Sequence, residues 1–346
     1  MVTFSDIAEL AGVSKATVSR VLNNQPRVSA KTRKKVLNAA KELGYVSKGR
    51  ANALNRRPTR NLGIILTSNP YWHDDSAQGF DSDQVGWEYE VLCGIEEEAG
   101  STGYNVFVAR APTFSRDGEI PRFAESKQVD GIFVLGGLFD DAYIARIRKL
   151  GIPIVIVGSY VDFKDVNCIY ADNLQGAYEA ISHLISLGKQ RIAFINGPGI
   201  TRTSRDKYLG YRMALEEAHY EISDAWVREG LFSPQSGYNA MLDIWSSGLR
   251  PDSVFCANVP MAVGVISFLN ENGLLVPDDV AVVGYQENRI AMLLTPPLSC
   301  VDLHPRETGS EAARRMFGVL TRGDELGLKI AVPTRLIKRE SSVGAK

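Results

Sequence analysis

From Leu62 onward, short apolar runs rich in β-branched residues alternate with stretches of helical periodicity, and no other feature constrains the fold as much. LGIILTS, NVFVARA, GIFVLGG and IPIVIVG alternate with VLCGIEEEAGSTG and DDAYIARIRKLG. A second series, QRIAFING, DSVFCAN and DVAVVGY, alternates with GAYEAISHLISLG, LGYRMALEEAHY and PMAVGVISFLNENG. Strand–helix alternation implies parallel sheets with helices on both faces. Two such series predict two doubly wound α/β lobes, with any ligand in the crevice at the carboxyl ends of the strands. A chain of 346 residues is long enough for two or three compact units. No apolar run approaches the length of a membrane span.

The chain before Leu62 has a different character. Residues 1–60 hold 13 Lys and Arg against 3 acids, a charge of +10, while the whole chain carries −1. A basic segment on an acidic body is the electrostatic footprint of nucleic-acid binding. Within it, TFSDIAELAGVSKATVSRVLNN reads as two short helices around a tight turn. Thr3 or Ser5 is placed to cap the first, whose apolar stripe is Ile7, Ala8, Leu10 and Ala11. Gly12 supplies a left-handed end, Val13 fills the corner, and Ser14 caps a second helix whose Ala16, Val18, Val21 and Leu22 are apolar. This is a helix-turn-helix, whose second helix enters the major groove N-terminus first. A third helix follows from Ser29 and stops at Gly44, burying Val36, Ala39, Ala40 and Leu43. Residues 46–61 are a polar, basic linker in which RANALNR is long enough for about two helical turns, too short to persist alone in water.

The chemistry of the second helix is that of a base reader. Lys15 and Ala16 lie in its first turn and Arg20 one turn on; lysine donates to guanine O6 and N7, and an alanine methyl meets a thymine methyl. A solvated surface lysine is the plainer alternative for Lys15. Thr3, Thr17, Ser19, Asn23, Ser29 and Thr32 suit phosphate contacts, which position without reading sequence.

DIAELAGVSKATVSRVLN followed by VSAKTRKKVLNAAKELGY resembles the DNA-binding headpiece of the LacI/GalR family of bacterial repressors, and the resemblance continues over nearly all of the chain. It implies lobes of periplasmic-binding-protein type, with the chain crossing between them near residues 160, 289 and 322. The domains expected are therefore a headpiece (1–46), a hinge (47–60), an N-terminal effector subdomain (61–160 with 290–322) and a C-terminal one (161–289 with 323–346). Leu54 falls on the family's hinge leucine, an apolar wedge for the minor groove, with Ala51 beside it. A loop leucine without a role is the alternative. Ser47-Lys48-Gly49 departs from the family's Pro-Asn-Ala, and Gly49 lowers helix propensity.

The resemblance also implies an effector site. Phe232 takes the place of a ring that stacks on the ligand, with core packing as the alternative. Asn258 takes that of an amide that donates to and accepts from hydroxyls. Lys207, three residues before Gly210, stands where an effector-binding Arg is usual, with Arg205 as a substitute. Gln286 stands where Asp is common, and Val259 replaces the acid of the family's Asn-Asp pair. Thr67 and Trp87 are placed to close the other side. Parts of the second lobe, the REG-aromatic-SxxSGY and PPLS stretches, resemble the branch that regulates galactoside use.

An enzyme is not expected. There is no Ser/His/Asp set, no P-loop and no HExxH; His73, His183, His219 and His304 are isolated, and the four cysteines show no ligand spacing. No cofactor or metal is expected. MVTFSDIAEL lacks the basic-then-apolar pattern of a secretory signal, which points to the cytoplasm and the nucleoid. RLIKRESSVGAK lacks heptads, so a homodimer on palindromic double-stranded operator DNA is expected rather than a tetramer. The function read from the sequence is a repressor controlled by a small sugar. The alternatives are a sugar-binding module without a DNA role and a regulator dependent on a nucleobase-like corepressor.

Overall fold

A computed structural model of the chain describes residues 3–22, 28–43, 58–67, 82–113 and 117–344. The chain divides into two units, Met1–Pro58 and Thr59–Lys346.

Among its described residues the first unit has three helices, α1 (Phe4–Ala11), α2 (Lys15–Leu22) and α3 (Ala30–Glu42). Their ends are set by local chemistry. The Thr3 hydroxyl accepts from the amides of Ser5 and Asp6, and the Asp6 carboxylate accepts from the Thr3 amide at 2.7 Å. This reciprocal cap holds the Asp6 carboxyl below the usual carboxylate range, the Thr3 amide being the main cause. Gly12 ends α1 at φ 63°, where a side chain is strained. The hydroxyls of Ser14 and Ser29 each accept at 3.2 Å from the amide three residues on. Ile7, Ala8 and Ala11, Val18 and Val21, and Val36, Ala39 and Ala40 meet in one core. Leu10, expected in the stripe, is 47% exposed: at 100° per residue it lies roughly 100° round the helix from the middle of the buried face.

The second unit holds two six-stranded sheets. The strands are β1 (Asn61–Thr67), β2 (Asn105–Ala111), β3 (Gly131–Leu135), β4 (Ile154–Val157), β5 (Asn167–Ala171), β6 (Ile192–Asn196), β7 (Val227–Glu229), β8 (Ser253–Cys256), β9 (Ala281–Tyr285), β10 (Ser299–Asp302), β11 (Lys329–Val332) and β12 (Arg335–Ile337). The first sheet runs β11-β5-β4-β3-β1-β2 and the second β12-β10-β9-β8-β6-β7. Both share one plan, a doubly wound order of five strands plus a sixth brought from the end of the chain. Pairing is parallel throughout except at β12, which runs antiparallel to β10. In the first sheet Ile64, Phe133, Val155 and Ile169 pack on one face, while Ile65, Val134, Ile156 and Cys168 pack on the other. Burial on both faces is why these strands read as unbroken apolar runs.

The crossings between lobes fall at about residues 172, 303 and 333, some eleven to fourteen residues beyond those expected at 160, 289 and 322. The cause is strand pairing. β5 pairs with β4 through Val155 and Asn167 and so belongs to the first sheet. β10 pairs with β9 and stays in the second. The helix Pro305–Phe317 then returns to the first lobe, where it packs along the helix Ser82–Ser101. No helix among the described residues is long and apolar enough to cross a membrane.

Candidate functional site

The headpiece presents Lys15, Ala16 and Arg20 to solvent, Ala16 and Arg20 on the side of α2 opposite the buried Val18 and Val21 and Lys15 at its first turn. This is the disposition a recognition helix requires, and it follows from the helical period alone. Thr17 and Ser19 are half-buried at the flanks. Several hydroxyls expected on phosphates are already engaged. Thr3 caps α1, Thr17 bonds the Ser14 hydroxyl at 2.9 Å, and Ser29 and Thr32 bond each other at 2.9 Å. These groups fix the N-termini of the three helices, whose first-turn amides are natural anion donors. Asn23, Ala51 and Leu54 lie outside the described residues.

In the second unit a cavity sits where the strand order of each sheet reverses. β1 and β3 diverge above it on one side and β6 and β8 on the other, as the topology predicts. Of the seven residues expected there, Trp87, Lys207, Phe232, Asn258 and Gln286 line it. Trp87 projects from the helix Ser82–Ser101 and lies on Gly158, at φ 90°, where a Cβ would come within 2.5 Å of the indole. The Phe232 ring packs on Gly197 in the same way, a Cβ there coming within 2.2 Å of it. Each lobe thus clears space for one aromatic ring by leaving out a side chain. Phe232 and Gln286 themselves have φ of 63° and 69°, and His304 beside the lining residue Leu303 has 47°. Three non-glycine residues in the left-handed region at one site are strain of the kind that functional positions retain.

Asn258 ends its strand facing the cavity, but its amide is largely occupied. Oδ1 accepts from the Met261 amide at 2.9 Å, capping the helix Val259–Glu271, and Nδ2 donates to the Phe232 carbonyl at 2.9 Å. One N–H remains for a ligand, and the residue's larger effect is to hold Phe232. Lys207 is 5% exposed on the helix Arg202–Glu217. Its ammonium donates to the Ala257 carbonyl at 3.2 Å and lies 4.6 Å from the centre of the Tyr285 ring. Burial lowers its pKa to about 7, against a smaller opposing pull from Asp206. Thr67 is buried behind Gly136, a lining residue, and its hydroxyl has no hydrogen-bond partner among the described residues. Arg205 is not part of the cavity. It lies on an outer cleft, its guanidinium reaching the Ile200 carbonyl at 3.4 Å. Two residues apart on a helix point about 200° from each other, so Arg205 cannot share a face with Lys207.

The site also contains residues that the sequence reading missed. Tyr285 is fully buried, and its hydroxyl donates to Oδ1 of Asn173 at 3.2 Å. Burial drives its pKa well above the usual phenol value. Thr201, Thr203 and Thr308 add hydroxyls. The signal for Tyr285 was its place at the end of β9, beside Gln286. At the rim the lobes are tied directly: Arg202 pairs with Asp141 through two bonds of 2.8 and 3.2 Å, and the Tyr160 hydroxyl donates to Asp206 at 3.0 Å.

Two family models match the chain, one of bacterial regulatory proteins of the lacI family over residues 3–48 and one of periplasmic binding protein-like domains over residues 181–342. The HTH-type transcriptional repressor PurR of Pasteurella multocida is 31% identical, with 99% of this chain and 98% of that protein aligned. Among solved structures, the transcriptional regulator CelR in complex with cellobiose superposes with a TM-score of 0.73 and 29% identity, over 99% of this chain and all of that one. The lac repressor dimer bound to operator and the anti-inducer ONPF does so with a TM-score of 0.66 and 27% identity, over 99% of each chain. An exposed recognition helix, an interlobe cavity and similarity along the whole chain agree. This chain belongs to the lacI family of bacterial regulatory proteins and is a helix-turn-helix transcription regulator with a ligand-binding domain.

Proposed function

We propose that this chain is a cytoplasmic repressor whose hold on operator DNA is set by a small sugar in the interlobe cavity. The observation that carries the reading is the pair of aromatic rings, Trp87 from one lobe and Phe232 from the other, in a cavity ringed by amides and hydroxyls. Aromatic faces suit the C–H faces of a sugar ring, and each buried ligand hydroxyl needs a partner, at a cost of roughly 1–3 kcal/mol if unpaired. The CelR–cellobiose complex and the operator-bound lac repressor dimer are analogies for the two halves of the mechanism. On this reading two copies bind a palindromic operator. Lys15, Ala16 and Arg20 read bases, the caps of the headpiece helices meet phosphates, and Ala51 and Leu54 enter the minor groove. Ligand draws the lobes together and changes the geometry from which the paired hinges hang, coupling two sites through one two-state element. No catalytic step is assigned to the cavity.

The test begins with a thermal-shift screen of sugars, since a ligand that binds only the folded state raises the melting temperature. The sugar so found shifts operator affinity of the parent protein in a gel-shift titration. In Phe232→Ala that shift is lost, because the ring and the carbonyl position held by Asn258 go together. A variant that responds like the parent would place the effector elsewhere.

A further inference from the structure

We infer that the effector is a sugar acid whose carboxylate pairs with Lys207. The inference rests on the reading of the cavity as a sugar site and narrows the ligand's chemistry. An ammonium has three donors. One goes to the Ala257 carbonyl, the Tyr285 ring lies against the ammonium, and Asp206, outside the cavity lining, adds a weaker pull. Among the described residues Lys207 forms no ion pair, and neither Asp nor Glu lines the cavity. A buried cation without an anion is costly, and a protein retains one at a binding wall at a price only when something else completes it. The lowering of the Lys207 pKa to about 7 has the same cause.

The rest of the wall agrees. Asn173 begins the helix Asn173–Ser186, Thr201 caps Arg202–Glu217, Asn258 caps Val259–Glu271, and Thr308 lies near the start of Pro305–Phe317. Four helices therefore turn their N-terminal, positive ends toward one cavity. The nearest charged neighbour, Asp206, follows a different face of the helix and is held by the Tyr160 hydroxyl. Lys207, Arg205 and Asp172 all bear on Asp206, whose carboxyl pKa is nonetheless raised by burial, and the Tyr285 phenol stays protonated through burial. None of them supplies a counter-charge inside the cavity. One cation matches one negative charge. A carboxylate fits, whereas a phosphate ester dianion would leave a net charge enclosed. Trp87 and Phe232 remain for the ring, and the Gln286 amide for its hydroxyls.

A carboxylate that pairs with Lys207 restores its proton. Binding at pH 7 therefore takes up about half a proton per site, and affinity weakens about tenfold between pH 6 and pH 8. The experiment uses the full chain, with thermal shift and titration calorimetry in two buffers of different ionisation enthalpy. D-Glucuronate, D-galacturonate, D-gluconate and D-galactonate are compared with D-glucose, D-galactose and D-glucose 6-phosphate. We expect at least one acid to bind ten times more tightly than its neutral parent, with proton uptake. Lys207→Gln removes the preference. Lys207→Arg keeps it and loses the pH dependence, and reading the two together lets either decide if the other fails to fold. A neutral sugar that binds as tightly as its acid, a phosphate ester that binds best, or a preference that survives in Lys207→Gln overturns the inference and leaves the sugar reading standing. A panel in which nothing binds overturns both.

Discussion

The headpiece and the second lobe stabilise themselves by opposite means. Among the described residues the headpiece core is eight buried side chains, none larger than isoleucine. The second lobe buries Phe194, Phe255, Phe268, Tyr211 and Tyr285 in one cluster, with Phe194 stacked on Phe255 at 4.9 Å. What the headpiece lacks in buried area it replaces with local hydrogen bonds, a reciprocal cap at Thr3–Asp6 and hydroxyl caps at Ser14 and Ser29. Its surface carries the charge. In the lobes the apolar interior supplies the stability, and the polar groups that matter collect in a cavity away from water. The lesson is that one end of this molecule works through solvated charge and the other through desolvated contact.

Salt should separate the two most strongly. If the headpieces of a dimer neutralise about 6–10 phosphates, operator affinity falls about 10³–10⁵-fold between 50 and 200 mM salt. Binding of the proposed ligand in the interlobe cavity should be screened far less. Titrations of both ligands in the same salt series check this, and parallel slopes would break the comparison. Next comes core truncation. Ile7→Ala and Ile64→Ala each remove a fully buried isoleucine, at about 2–5 kcal/mol. A unit as small as the headpiece rarely holds more than about 3–5 kcal/mol. Ile7→Ala is therefore expected to unfold the headpiece and abolish operator binding while ligand still raises the melting temperature of the rest. Ile64→Ala should lower that melting temperature and leave the operator complex intact at 25 °C. Hydrogen exchange on the two variants reads each unit separately, and equal loss of protection would show that the cores are not so unequal. The smallest effect sharpens the picture within the headpiece. Lys15→Ala should cost roughly 1–3 kcal/mol at one or two symmetric operator positions, whereas Lys31→Ala, exposed on α3, weakens all sequences alike. Selection of preferred sites with each variant distinguishes them, and an unchanged motif from the Lys15 variant removes it from the base readers.

The headpiece was almost wholly legible in the sequence because its determinants are local. Thr3, Gly12, Ser14 and Ser29 act on amides within three or four residues, so their spacing announces them. The lobes were legible as a class, because an apolar run between helices has one reading. Their boundaries were not. Whether β5 joins the first sheet depends on Val155 meeting Asn167, and β10 is held by a partner some sixteen residues away. No local pattern encodes which sheet a strand completes. The cavity shows the same division. Lys207, Phe232, Asn258 and Gln286 were found by resemblance, and Trp87 as a residue placed to close the other side. Tyr285 and Asn173 were missed because a buried tyrosine at the end of an apolar strand reads as core until its hydroxyl is seen on an asparagine from another element. Arg205 failed for a reason available in advance, since a helix does not put residues two apart on one side.

The sixth strand of each sheet has a consequence for how the molecule is made. β11 completes the first sheet and β12 the second, and only two residues separate them. A chain emerging from a ribosome would finish its headpiece once Glu42 is out, yet neither lobe can close its sheet until residues 329–337 follow. At about 5–20 residues per second that interval is on the order of tens of seconds. During it the basic, operator-seeking end exists without the ligand-binding machinery that governs it. Birth order therefore runs from the part that binds DNA to the part that decides when it should.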